Sequence, residues 1–290
     1  MARAFASNLR SIDYEGVTTR PHDAAPELVA LADALYEAEA TGIPIAPPSS
    51  TRTLTLDEAY IVQGINAARR YAAGERLVGR KVGLTSLAMQ KQLGVDRPDF
   101  GIITDTMVVA DRGALDASAL IAPRAEAEFA FRFGRDLPPS PSLEDLRSAV
   151  DGVAVAIEII DSRVADWKIT LVDTVADNAS SARIAYGDIM PVTPELLASL
   201  PATVITMRRN GEDVASGPGS AVLGDPLTAL EWLAGAIGEY GESFRAGDVV
   251  LAGAVAAAVP LAAGDEFVAA AAGFPSVSIS VSLATKERER

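Results

Sequence analysis

The run Val153-Ala154-Val155-Ala156-Ile157-Glu158-Ile159-Ile160 constrains this chain more than any other segment. A nearly continuous apolar stretch of this length reads as a buried strand. Glu158 stands inside it. An ionised carboxylate in such surroundings costs many kcal/mol unless it is paired or bound to a metal. The fold must therefore deliver a positive partner to this strand. Arg163, a few residues downstream, is one source; a divalent cation shared with other carboxylates is the alternative.

A second acidic pair lies in Arg124-Ala125-Glu126-Ala127-Glu128-Phe129-Ala130-Phe131. In a strand, residues two apart share a face. Glu126 and Glu128 then converge on one side while Ala125, Ala127 and Phe129 fill the other. Two carboxylates so placed repel unless a cation or proton lies between them. A solvated strand face is the plain alternative. Three glutamates without histidine or thiolate form a hard oxygen-donor set, which favours Mg²⁺ or Mn²⁺ over Zn²⁺ or Cu²⁺.

Three more residues qualify as site candidates. Lys81 sits among apolar neighbours in Arg80-Lys81-Val82-Gly83-Leu84; drawn into a site it can hold a carboxylate or move a proton, and otherwise it is a surface strand lysine. Asp99 lies in the turn-rich segment Val95-Asp96-Arg97-Pro98-Asp99-Phe100-Gly101, where turn capping is its ordinary role. Ser180 closes the small, polar stretch Asp173 to Ser181, an ordinary loop or a wall of hydroxyl donors.

Composition removes several function classes. There are 25 basic and 39 acidic residues, a net charge of −14, which repels phosphate backbones and argues against nucleic-acid binding. No cysteine is present, so disulfides, thiolate catalysis and zinc–thiolate sites are excluded; a cytoplasmic address is compatible with this. The single histidine, His22, lies in a polar, proline-containing segment and reads as a loop or subunit-contact residue rather than a catalytic one. The longest uncharged stretch, Val249 to Gly264, is too short and too weakly apolar to span a membrane. The first residues carry arginines without an apolar core before Asp13 and read as a ragged extension. Ser216-Gly217-Pro218-Gly219-Ser220 lacks the spaced glycine and lysine of a phosphate loop.

Periodicity predicts helices over residues 25–40 and from a Thr55 cap through Tyr71, and a third from the Asp225-Pro226 start towards Gly238. Strands are expected at Val78–Leu84, Glu126–Phe133, Val153–Ile160, Val249–Leu251, Glu266–Ala271 and Val277–Leu283. Val204–Arg208 and Glu212–Ser216 flank an Asn210-Gly211 turn and read as a hairpin. Helices first and many strands later imply an α+β fold rather than a βαβ alternation.

The ordered motifs are similar to those of a known family. Gly79-Arg80-Lys81-Val82-Gly83-Leu84-Thr85-Ser86, Gln90-Lys91-Gln92-Leu93-Gly94-Val95 and Pro98-Asp99-Phe100-Gly101 closely resemble the 2-keto-4-pentenoate hydratases. The segments Pro123 to Glu128, Glu158 to Arg163 with Asp166-Trp167, and Val172 to Ser181 fit the same family. The resemblance spans roughly residues 50 to 283. It implies a mixed β-roll of the fumarylacetoacetate hydrolase C-terminal-domain type, with residues 1–76 a helical extension packed on a catalytic domain of residues 77–290. It implies metal ligation by Glu126, Glu128 and Glu158, and active-site roles for Lys81, Asp99 and Ser180. The implied reaction is hydration of 2-hydroxypenta-2,4-dienoate, or a close 2-oxo or 2-hydroxy-dienoic acid, to 4-hydroxy-2-oxopentanoate in meta-cleavage degradation of aromatic compounds. A homo-oligomer follows from the family, with a related decarboxylase or a downstream aldolase as further partners.

Some positions pull elsewhere. Leu251-Ala252-Gly253 has Ala where many relatives carry Thr, and the bland stretch Ala254 to Ala258 follows, which puts substrate preference in question. Asp161, Arg183 and Tyr186 suit 4-oxalocrotonate decarboxylase, whereas Leu87 to Leu93 and Asp166-Trp167 suit the hydratase. A hydrolase of the acylpyruvate or fumarylacetoacetate type would need a His–Glu pair, for which only His22 is available. A non-catalytic partner subunit would have no physical need for the three glutamates.

Overall fold

The structure, a computed structural model, describes residues 24–86, 90 and 95–282. His22, most of the motif between Leu87 and Gly94, and Leu283 lie outside these residues.

Among the described residues two helices come first, α1 (Pro26–Thr41) and α2 (Leu56–Ala72). Thr55 caps α2 through a reciprocal box with Glu58, as the sequence predicts. Then follow β1 (Leu77–Gly83), β2 (Asp99–Thr104), β3 (Gly113–Asp116), β4 (Arg124–Phe133), α3 (Leu143–Ala149), β5 (Val150–Ile160), α4 (Leu171–Ala176), β6 (Ser181–Tyr186) and β7 (Met190–Pro191). The chain continues through α5 (Pro194–Ser199), β8 (Val204–Arg209), β9 (Glu212–Pro218), α6 (Pro226–Gly238), β10 (Val249–Ala254), β11 (Val259–Pro260), β12 (Glu266–Ala271) and β13 (Val277–Ser282). Asp225 caps α6 by accepting the Leu227 amide at 2.9 Å, with Pro226 in the first turn.

The strands form two sheets. One runs β2-β1-β10-β4-β5-β6, with β11 beside β4 and β7 beside β5; the other runs β3-β13-β12-β8-β9. β1 with β10 and β13 with β3 are parallel; the remaining pairs are antiparallel. This is the expected mixed β-roll with a helical N-terminal part.

Alternation along β4 and β5 decides where the core sits. Ala125, Ala127, Phe129 and Phe131 join Val155, Ile157 and Ile159 on one face. Met207, Phe267 and Ile279 of the second sheet and Leu230 and Leu233 of α6 meet them there. The glutamates are thereby turned to the opposite face. Farther along that face Ala130, Ala156, Ile184 and Leu251 form a small apolar cluster. A third cluster seats the N-terminal helices: Leu28 and Leu35 of α1 and Val62 and Ile65 of α2 pack with Val164 and Val175. Among the described residues no helix is long and apolar enough to cross a membrane.

The sequence reading places Asp99 in a turn. It is instead the first residue of β2, buried opposite Gly83 of β1. The short strands β2 and β6 escape periodicity because glycine, aspartate, serine and arginine interrupt them.

Candidate metal centre

β4 and β5 are antiparallel neighbours with Glu126 directly opposite Glu158. Glu128 lies one alternation farther along β4 on the same face. One carboxylate oxygen from each of Glu126, Glu128 and Glu158 lies within 4.8 Å of the others. Glu128 and Glu158 are buried and Glu126 is partly accessible, so the cluster opens on one side.

The donors around these oxygens are few. The Gly253 amide donates to Glu128 Oε2 at 2.8 Å. Neither oxygen of Glu158 accepts a hydrogen bond among the described residues. Lys81 Nζ stands 3.5 Å from Glu158 Oε2, within ion-pair range but without hydrogen-bond geometry. A fully buried carboxylate with both oxygens undonated is what a cation-binding ligand presents. The all-oxygen set suits a hard divalent ion.

Lys81 and Asp99 reach the same face from β1 and β2. They meet over the bare backbone of Gly83, where an added Cβ would lie 2.1 Å from Asp99 Oδ1 and 3.0 Å from Lys81 Nζ. Burial works to strip the proton from Lys81, but Glu158, Asp99, Glu126 and Glu128 outweigh it and hold the ammonium charged. Burial, then the charge of Glu158, pushes Glu126 up to about 7 against the opposing pull of Lys81. Glu128 rises well above the ordinary carboxylate range for the same two reasons, with Glu126 adding to them. Asp99 is raised by burial and by Glu158, with Lys81 opposing. The carboxylates therefore crowd one another, and a bound cation would relieve all of them at once.

Ser180 makes its hydrogen bonds outside this group. It ends a tight turn in which Asn178, Ala179 and Ser180 all adopt left-handed backbone. Its hydroxyl bonds Thr174 Oγ1 at 3.0 Å, and its carbonyl accepts the Asp161 amide at 2.8 Å. Asn178 clasps β2 through Ile102, accepting its amide at 2.8 Å and donating to its carbonyl at 3.1 Å. Ser180 is thus buried against α4 and the end of β5, engaged by Thr174 rather than by a glutamate.

Arg163 does not partner Glu158. It turns to Asp177, donating through its backbone amide and guanidinium to the carboxylate and through the guanidinium to the carbonyl. Asp161 is likewise committed to structure, accepting the Ile121 and Ala122 amides at 2.8 and 2.7 Å. Ala252 is fully buried in the main core, so the Ala-for-Thr departure does not face the carboxylates.

A family model described as fumarylacetoacetate (FAA) hydrolase C-terminal matches residues 74–282. A 2-keto-4-pentenoate hydratase of Paraburkholderia xenovorans (strain LB400) is 45% identical over 238 residues, covering 81% of this chain and 88% of that protein. This chain belongs to the 2-keto-4-pentenoate hydratase family. A second relative of these hydratases, a 2-hydroxyhexa-2,4-dienoate hydratase of Comamonas testosteroni, is 42% identical over 249 residues, 84% of this chain and 94% of that protein. Among solved structures, 4-oxalocrotonate decarboxylase from Pseudomonas putida G7, complexed with magnesium and adipate, superposes with a TM-score of 0.82 at 37% identity. It covers 88% of this chain and 97% of its own.

Within this hydratase-family fold, the carboxylates and Lys81 that the sequence singles out come together, joined by the Gly253 amide, which it does not single out. Glycine in a strand is a weak signal that can mark a bulge.

Proposed function

We propose that this chain is a divalent-metal-dependent hydro-lyase that adds water to 2-hydroxypenta-2,4-dienoate, or a close analogue, to give 4-hydroxy-2-oxopentanoate in the meta-cleavage degradation of aromatic compounds. The observation that carries this reading is the convergence of Glu126, Glu128 and Glu158 beside Lys81 and Asp99, with Glu158 lacking any hydrogen-bond donor among the described residues. The family's hydratases supply the reaction class.

Glu126, Glu128 and Glu158 would hold Mg²⁺ or Mn²⁺. The ion would supply Lewis acidity towards the substrate's carboxylate and C2 oxygen and orient both. The chain's own residues do the rest. Lys81, charged by its neighbours, is built to donate a proton or hold an anion rather than to act as a base. Asp99, a buried carboxyl raised from its ordinary value by burial and by Glu158, is the second group placed to exchange a proton. Loss of the C2 hydroxyl proton and protonation of the terminal carbon convert the dienol to a 2-oxo-3-enoate. Water then adds at C4 and a proton at C3, so the net change is one water. Ser180 and Thr174 would offer hydroxyls at the end of β5.

The decarboxylase reading is favoured by the superposition on 4-oxalocrotonate decarboxylase, with a TM-score of 0.82, beside Asp161, Arg183 and Tyr186 in the sequence. Purified protein with Mg²⁺ should hydrate 2-hydroxypenta-2,4-dienoate and release little CO₂ from 4-oxalocrotonate. The reverse result transfers the chain to the decarboxylases. EDTA should abolish turnover and Mg²⁺ or Mn²⁺ restore it; full activity in metal-stripped protein overturns the metal role.

Residues 1–76 act as a helical extension seated on residues 77–290, supported by the packing of α1 and α2 on Val164 and Val175. A cytoplasmic homo-oligomer, able to associate with a related decarboxylase or a downstream aldolase, completes this organisation, supported by the family resemblance alone. Sedimentation as a monomer at micromolar concentration would remove the oligomer.

A further inference from the structure

Arg124 opens β4 two residues before Glu126, so its side chain belongs to the face that carries the glutamates. Neither the metal ligands nor the proton-transfer roles use it. Its guanidinium lies over the Trp167 ring, 4.5 Å from the centroid. It is partly exposed, and among the described residues no carboxylate forms an ion pair with it.

The ring beneath it is deliberately placed. Asp166 and Trp167 both adopt left-handed backbone, with φ of 59° and 54°. Non-glycine residues hold that conformation only where the surroundings enforce it. The Trp167 indole N–H donates to the Ala122 carbonyl at 3.0 Å, two residues before Arg124. Ala122 is itself fixed by its amide, which donates to Asp161 at 2.7 Å. One short stretch thus anchors both the cation and the surface on which it rests.

A guanidinium held over a ring face still has N–H donors to offer, and its planar fork matches a carboxylate. Lys81 is less available for this task, because its ammonium already sits 3.5 Å from Glu158 among four carboxylates. The two cations also flank the glutamates. Lys81 arrives from β1, beyond β10, whereas Arg124 lies past Glu126 at the β11 end of β4. Its charge reaches Glu126, where it opposes protonation. A 2-hydroxy acid that turns its C2 oxygen and one carboxylate oxygen towards the glutamates keeps a second carboxylate oxygen for a donor at this rim.

We propose that Arg124, clamped on Trp167, is the substrate-carboxylate receptor of the site, holding the C1 carboxylate of the 2-hydroxy-dienoic acid and leaving Lys81 to move protons. The inference rests on the hydratase reading and deepens it.

The test uses Mg²⁺ alone, oxalate as a substrate-like dianion, and the dienoate itself. In Arg124→Met, calorimetric affinity for Mg²⁺ should hold or tighten, because a cation beside the glutamates has gone. Oxalate affinity of the Mg²⁺-loaded protein should fall roughly tenfold to a hundredfold, the weight of a charge-assisted hydrogen-bond pair. KM for the dienoate should rise in step while kcat moves less than about threefold, the signature of lost uniform binding. Arg124→Lys should recover part of the oxalate affinity, and Trp167→Leu, which frees the guanidinium, should fall between. Unchanged oxalate affinity in Arg124→Met overturns the proposal, and so does a collapse of kcat with KM unchanged. Should Arg124→Met fail to fold, Arg124→Lys and Trp167→Leu decide, and wild-type oxalate affinity in both overturns it. If wild-type protein with Mg²⁺ neither binds oxalate nor hydrates the dienoate, the hydratase reading itself has failed and takes this proposal with it.

Discussion

Glu158 and Asp177 are both buried carboxylates, and their surroundings give them opposite energetic signs. Asp177 is satisfied by Arg163 on several atoms. Glu158 has an ammonium at 3.5 Å, two like charges close by and, among the described residues, no hydrogen-bond donor. Glu158→Gln should therefore lower Mg²⁺ affinity and turnover by roughly tenfold or more, with partial recovery at high Mg²⁺. Its melting temperature in EDTA should hold or rise, since a crowded charge has been removed. Asp177→Asn should do the reverse: a loss of about 3–5 kcal/mol from breaking a buried pair, with Mg²⁺ affinity unchanged. Thermal melts in EDTA beside calorimetric titration separate the two. A large apo destabilisation of Glu158→Gln with intact metal affinity would remove Glu158 from the site. Glu158 is legible in the sequence because its charge contradicts the apolar run around it. Its partner is not, because Arg163 lies past the end of β5 and turns away, while Lys81 arrives from far upstream on β1. Long-range pairing of this kind leaves no local trace.

Elements read well where their signals are local and poorly where they are not. The caps of α2 and α6 and the Asn210-Gly211 hairpin specify themselves within a few residues. The bulge in β10 between Leu251 and Ala254 does not, yet it supplies the amide that holds Glu128. Gly253 there has φ of 111°, and an added Cβ would stand 2.1 Å from Thr85 Oγ1. Gly253→Ala should thus lose roughly 1–3 kcal/mol of stability through backbone strain and crowding, and should weaken Mg²⁺ binding because the strained bulge shifts the amide that donates to Glu128. Wild-type metal affinity in a folded Gly253→Ala protein would show that the bulge serves the fold alone. The neighbouring Ala252 gives a contrast. It faces the main core, so Ala252→Thr should destabilise by about 1–3 kcal/mol through overpacking and leave the ratio of dienoate analogues turned over unaltered. A changed substrate ranking without loss of stability would show that Ala252 bears on the substrate rather than on the core.

At the scale of the molecule, two sheets and α6 bury one face of β4 and β5 so thoroughly that the other face is free to gather charge. That division makes stability depend on pH and metal together. In the metal-free protein, burial and crowding raise Glu126 from an ordinary 4.5 to about 7 and raise Glu128 well above its ordinary value. A carboxyl whose folded pKa exceeds its unfolded one keeps its proton in the folded state after the unfolded chain has released it. Its stabilising contribution is complete below the unfolded pKa and is lost as pH climbs through the folded one. Metal-free protein should accordingly become less stable from about pH 5 to about pH 7.5. With saturating Mg²⁺ the sign inverts, because the cation binds the ionised forms and must displace protons at the acid end. Melting curves across that range in EDTA and in Mg²⁺ should diverge, with the gap widest at the alkaline end. Calorimetry at pH 6 in buffers of different ionisation enthalpy should detect protons leaving as Mg²⁺ enters. Glu126→Gln should flatten the EDTA slope, since it removes one of the groups responsible. Parallel curves in EDTA and Mg²⁺ would mean that the three glutamates do not share a cation, however closely the fold brings them together.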